Sequence, residues 1–171
     1  MFAAAAFAGM MFMKNNVQAQ TPKLDDAEIA SVAVTANQID VDYAEIALKK
    51  SKDAKVREFA TAMKNDHSGV IKAAVALVTK LKVTPKDNAV SQSLNKQAVA
   101  TKKMLNGKSG KAFNKAYVDN EVAYHKAVID AVEKVLIPQA QNGELKKLLG
   151  SVMPVLKTHL AHAEMIQKQY K

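Results

Sequence analysis

The sequence predicts an all-α fold, a bundle of four long helices with a polar centre. Three observations predict it. Apolar residues recur in alternating steps of three and four along four separate stretches, the spacing of a helix face that packs against neighbours. Stop signals separate those stretches: Ser51-Lys52-Asp53, Val83-Thr84-Pro85, Asn106-Gly107 and Pro138. Finally, the chain is 49% hydrophobic but only 5% aromatic and has no Trp, so its core is mostly Ala, Val, Leu and Ile, which suits closely packed helices better than a β-sandwich. A length of 171 residues fits one domain with a substantial core.

Residues 1–13 form a short apolar run, followed by a polar stretch in which Val17-Gln18-Ala19 has the small-x-small pattern of a signal-peptidase site. The run is too short to span a bilayer well. The expectation is a signal peptide over residues 1–19, cut after Ala19, and an exported bundle domain over 20–171 without a transmembrane span. The usual positive n-region is missing, which fits either a signal incomplete at its start or a tail anchored at its N-terminus.

The first helix is expected to begin at Asp25 or Asp26, either of which can accept from the free N–H groups of a first turn. Its seam is Ile29, Val32, Ala36, Ile39, Tyr43 and Ile46, and Asp40 borders that seam among small side chains. The turn at 51–53 is short enough to make the second helix an antiparallel neighbour. That helix is expected over residues 54–82, with Met63, Val70 and Leu77 common to two adjoining seams, Asp66 on one and His67 on the other. Counted from the turn, Asp40 and His67 stand at similar height.

Residues 85–110 read as a crossover carrying one short extra helix over 91–105, capped by Ser91 and ended at Asn106-Gly107, with a solvated Lys-rich face. The third long helix is expected over 111–136, where His125 replaces a hydrophobe in the seam of Val118, Val122, Ile129 and Val132. Glu121 lies one turn before it, with Tyr117 and Tyr124 alongside. In the fourth, over about 143–170, His159 takes a seam position among Leu149, Val152, Leu156, Ala163 and Ile166. Pro154 lacks an N–H and its ring opposes the carbonyl of Gly150, so a kink or break is expected just before His159.

Mid-helix residues that face inward in such a bundle meet in one layer. Three imidazoles, His67, His125 and His159, with the Asp40 carboxylate as fourth ligand, match a site for one divalent transition metal, whether Zn, Fe, Mn or Cu. Asp66, Glu121, Tyr43 and His162 are the supporting or alternate residues. With no Cys in the chain, any ligands are nitrogen and oxygen. The same pattern also fits a buried His–Asp network that fixes helix register in a non-enzymatic envelope or stress-associated protein. No Glu-x-x-His occurs, which disfavours di-iron chemistry. The net charge of +9 rests almost wholly on Lys, with Arg57 the one arginine, so specific nucleic-acid recognition is not expected. Attraction to an anionic envelope surface is.

Several motifs carry a resemblance. Asp66-His67 after Val56-Arg57-Glu58-Phe59-Ala60-Thr61-Ala62-Met63, then Tyr117-Val118 with His125, then Met153-Pro154-Val155-Leu156-Lys157-Thr158-His159-Leu160 are similar to the exported bacterial proteins with a ferritin-like domain of unknown function, often labelled predicted outer-membrane proteins. The resemblance covers residues 25–169. It implies a ferritin-like four-helix bundle behind a signal peptide or lipoprotein signal, with no established activity. His67, His125 and His159 match the family's positions, whereas Asp40 stands where members often carry Glu.

Overall fold

The computed structural model describes residues 22–170, and the expected signal peptide lies outside them. The fold is all-helical, with no strand among the described residues. Its elements are α1 (Asp26–Lys50), α2 (Ala54–Leu81), α3 (Ala89–Asn106), α4 (Gly110–Ala131), a π-helical turn (Val132–Leu136), the short α5 (Ile137–Gln139), α6 (Gly143–Gln167) and a closing 3-10 turn (Lys168–Tyr170). No helix among the described residues is long and apolar enough to cross a membrane.

Local chemistry accounts for most boundaries. Asp25 caps α1 and exchanges hydrogen bonds with Glu28 in a capping box. Asp26, the other candidate, instead accepts from the N–H groups of Gln141 and Asn142 at 2.8 Å each, tying the start of α1 to the loop before α6. Asp53 caps α2 and Asn142 caps α6. At α3 the cap is Asn88, three residues before the expected Ser91, which serves as the reciprocal partner of the box. Each of these side chains satisfies donors that a helix start leaves free.

Two prolines lie within helical stretches. Pro138 stands one residue before the stretch ends at Gln139, close to the end at about Leu136 that the sequence predicts. Having no N–H for the residue four back, it is preceded by a turn in which the hydrogen bonds shift register, the N–H of Ile137 donating to the carbonyl of Val132. Pro154 does not break α6, which is continuous from Gly143 to Gln167. Both Pro154 and Gly150 lie on the exposed face, so the carbonyl of Gly150 that loses its partner is open to water.

The four long helices pack as two hairpins. α1 pairs with α2, α4 pairs with α6, and α2–α6 and α1–α4 contacts close the ring. The start of α1 meets the end of α4, where the N–H of Leu24 donates to Gln139 Oε1 at 2.7 Å. At the opposite end Tyr170 donates to Asp53 at 2.9 Å, so α6 finishes beside the α1–α2 turn. Hence α1 and α6 run one way and α2 and α4 the other.

That arrangement explains α3. The chain leaves α2 at one end of the bundle and must begin α4 at the other. Eighteen residues at 1.5 Å rise carry it back ~27 Å. α3 runs alongside α1, with Asn88 on the carbonyl of Glu28 and Lys50 on the carbonyl of Asn106. It buries Ser91, Leu94, Ala98 and Leu105 there.

Candidate metal centre

Asp40, His67, His125 and His159 come from α1, α2, α4 and α6, and their side chains meet in the bundle interior. All four are buried, His125 completely. The ring centroids of the three imidazoles lie 5.2 to 5.7 Å apart. One ligand atom from each imidazole falls within 4.8 Å of the other two. Asp40 Oδ2 is 3.2 Å from His67 Nε2 and 3.6 Å from His125 Nε2. Asp40, Glu121 and His125 form a second cluster on the same scale, with His125 common to both.

Each imidazole is held from behind. The amide of Asn37 donates through Nδ2 to the carbonyl of Ala33 at 2.8 Å, which leaves its Oδ1 to accept from His67 Nδ1–H at 2.7 Å. His125 Nδ1–H donates to the backbone carbonyl of Glu121 at 3.0 Å. His159 Nε2–H donates to Asp66 Oδ2 at 2.9 Å. Donation from one ring nitrogen sets the tautomer, so the other carries a lone pair. The inward atoms His67 Nε2, His125 Nε2 and His159 Nδ1 are buried and make no hydrogen bond.

Both oxygens of Asp40 and both of Glu121 are likewise buried without a hydrogen-bond partner. Buried polar atoms left unpaired cost stability, and native interiors contain few. Here seven of them fall in two adjoining clusters that share His125, and every one can coordinate a metal. An ion bound among the three imidazole nitrogens would remove part of that cost, and Asp40 Oδ2, within 3.6 Å of two of them, is the carboxylate oxygen placed to join them.

The electrostatics agree with the geometry. Burial lowers the pKa of His67 and of His125 to about 4, so at neutral pH both rings are uncharged and able to ligate. Burial also raises the carboxyl of Asp40, against the pull of the His125 imidazole. Glu121 is pushed well above the ordinary range by burial and by the charge of Asp40. Two carboxylates confined together resist ionising unless a cation joins them.

The remaining expected residues divide. Asp66 is half-exposed and reaches the centre only through His159. Tyr43 is buried with its ring edge-on to Tyr124 at 5.7 Å, one turn from Asp40. His162 is not in the centre: three residues past His159 on a helix its side chain leaves the inward seam, and its ring lies against Phe59 at 5.3 Å. Glu121 is fully buried, a more central position than that of a supporting residue. The seam pattern does not pick out Asn37, although a polar residue one turn before Asp40 on the same helix face is a signal that can be read.

Fold and centre together define an all-helical bundle with a buried histidine–carboxylate cluster. Residues 13–166 match the domain family of unknown function DUF4142, and the chain belongs to it. No curated protein and no solved structure matches the chain.

Proposed function

We propose that the protein binds one divalent transition metal at mid-bundle, with His67, His125 and His159 as nitrogen ligands and Asp40 as the fourth. The observation that carries this reading is the division of each imidazole into a bonded outer nitrogen and an unpartnered inner one. A register-fixing network would satisfy its members against one another, whereas metal sites orient imidazoles from outside and leave the inner lone pair free. Charge points to a divalent ion, since M²⁺ neutralises the Asp40 and Glu121 carboxylates that no buried cation otherwise balances. Zn, Fe, Mn and Cu all suit such a donor set. A metal held there supplies Lewis acidity, and a redox-active one also supplies electron transfer.

We further infer that the bundle is ferritin-like, a reading supported by its four long packed helices, and that it is exported to the periplasm or envelope, a reading supported by the apolar N-terminal run and Val17-Gln18-Ala19. Its Lys-rich surface then meets anionic envelope components.

Elemental analysis of protein purified without chelator or affinity tag tests the centre. One metal ion per chain is expected, and metal added at a thousand times its Kd should stabilise the fold by about 4 kcal/mol. His67→Ala, His125→Ala and His159→Ala should each abolish that gain. No bound metal and no metal-dependent shift would reject the reading in favour of the buried His–Asp network.

A further inference from the structure

Beside the centre lies a cavity of about 60 Å³, enclosed by α1, α2, α4 and α6 on the side away from the α1–α2 turn. Its walls are apolar, with Val70, Ala74 and Leu77 of α2 facing Leu149, Val152 and Leu156 of α6. At the inner end are Asp40, His67, His125 and His159, whose inward atoms lack hydrogen-bond partners. At the outer end the lining residues Asp66 and Val155 are exposed, which puts the mouth between α2 and α6.

Size and chemistry restrict what fits. A water molecule's share of the liquid is ~30 Å³, and an apolar cavity of ~150 Å³ takes up benzene. The space therefore suits two or three non-hydrogen atoms and is too small for an aromatic ring. Water needs two to four polar partners, and besides the cluster itself the lining offers only Asn37, Asp66 and Tyr124, which are already hydrogen-bonded to His67, His159 and the carbonyl of Ala36. Close-packed interiors hold few voids larger than a water, so one that opens on a cluster of unpaired nitrogens has the form of a binding site.

We propose that this cleft binds a small neutral apolar molecule of diatomic or triatomic size, with one end against the imidazole cluster and entry between α2 and α6. As a statement of what meets a metal there, it rests on the metal-centre reading. As a statement about the cleft, it stands on the cavity itself.

Xenon pressed into crystals of the metal-free and the metal-loaded protein tests the cleft. One xenon site is expected among Val70, Val128 and Leu156, each one turn from an imidazole, in both, and absence of xenon there in both would overturn the proposal. Val70→Phe should fill the space and remove the site. In case that variant does not fold, Leu156→Ala works in the opposite direction, enlarging the cavity so that benzene binds where it does not in the wild type. Failure of Leu156→Ala to gain benzene counts against the cleft. In cobalt(II)-loaded protein, nitric oxide should alter the visible absorption, and Val70→Phe, which fills the space between the mouth and the imidazoles, should slow that change at least tenfold. An unchanged rate would overturn entry by this route. If no metal binds, the metal-centre reading fails alone and the xenon result still decides the cleft.

Discussion

Between the centre and the α1–α2 turn, Val56, Phe59, Met63, Phe113, Tyr117, Val118 and Ile166 are completely buried. On the other side of the centre the facing residues of α2 and α6 are less enclosed, with Leu77, Val78 and Val152 only partly buried and Val155 exposed. The chemistry of the side chains explains the contrast. Both phenylalanines among the described residues, Phe59 and Phe113, lie at the first end and pack on Tyr117 with centroids 6.2 Å away. Large rings fill the space between four helices, whereas the Leu, Val and Ala side chains at the second end leave a cavity. The filled end supplies stability through burial, and the centre at the boundary spends part of it on unpaired polar atoms and desolvated charge.

The largest effect should come from the filled end. Phe59→Ala removes a fully buried ring and should cost about 3 to 5 kcal/mol, because close packing leaves little room for collapse. Val152→Ala, beside an existing cavity and already partly exposed, should cost under ~1 kcal/mol. Urea denaturation of the metal-free protein measures both. Equal losses would mean that the two ends are packed alike, and the contrast would be lost.

The next effect belongs to the centre and depends on pH. The folded pKa of about 4 for His67 and His125 lies below the unfolded value of 6.5, so the unfolded chain takes up protons first. Their contribution to stability is complete above pH 6.5 and is lost as pH falls towards 4. The loss is on the order of 3 kcal/mol for each imidazole. Asp40 and Glu121 act in the opposite sense. Their folded pKa values are raised, so their contribution fades as pH rises through them. Unfolding of metal-free protein between pH 7.5 and 4.5 should show the acid-side fall, and His125→Gln should flatten it. If a variant of the filled end such as Met63→Leu flattens it equally, the acid sensitivity does not originate in the centre.

Much of this fold is legible in the sequence because seam periodicity reports both which side of a helix faces inward and how high along it a residue lies. His67, His125 and His159 take seam positions, Asp40 borders one, all four share a height, and the structure brings their side chains together. Seam periodicity says nothing about which helices are neighbours or which way each runs. The return path of α3, and therefore the parallel course of α2 and α4, follows from where α2 ends rather than from any local pattern. Nor does it say how a proline's lost hydrogen bond is absorbed. At Pro138 a π-helical turn takes it up, and the helix ends one residue later; at Pro154 solvent does, and α6 runs on unbroken. Glu121 looked like a neighbour on an adjoining seam. Its complete burial depends on α1 and α4 packing closely enough to face it towards Asp40.

Asn37 gives the smallest effect and the sharpest separation of the centre from the ends. Its side chain lies one turn before Asp40, borders the cavity and makes two hydrogen bonds, one to its own helix and one to His67. Removing it empties no part of the packed end, and in the metal-free protein His67 can change tautomer and donate from Nε2 to Asp40 Oδ2 at 3.2 Å, so Asn37→Ala should leave stability within about 1 kcal/mol of wild type. What it removes is the acceptor that sets the tautomer of His67 and keeps Nε2 as the lone pair facing Asp40. Loss of such an orienting partner lowers metal affinity by about 10- to 100-fold, and competitive titration against a chromophoric chelator would measure it. Asn37→Asp retains an acceptor at the same position and should recover most of the affinity. Equal affinity in Asn37→Ala and wild type would show that His67 needs no support from behind, and the division of its ring into outer and inner nitrogens would then carry no weight for metal binding.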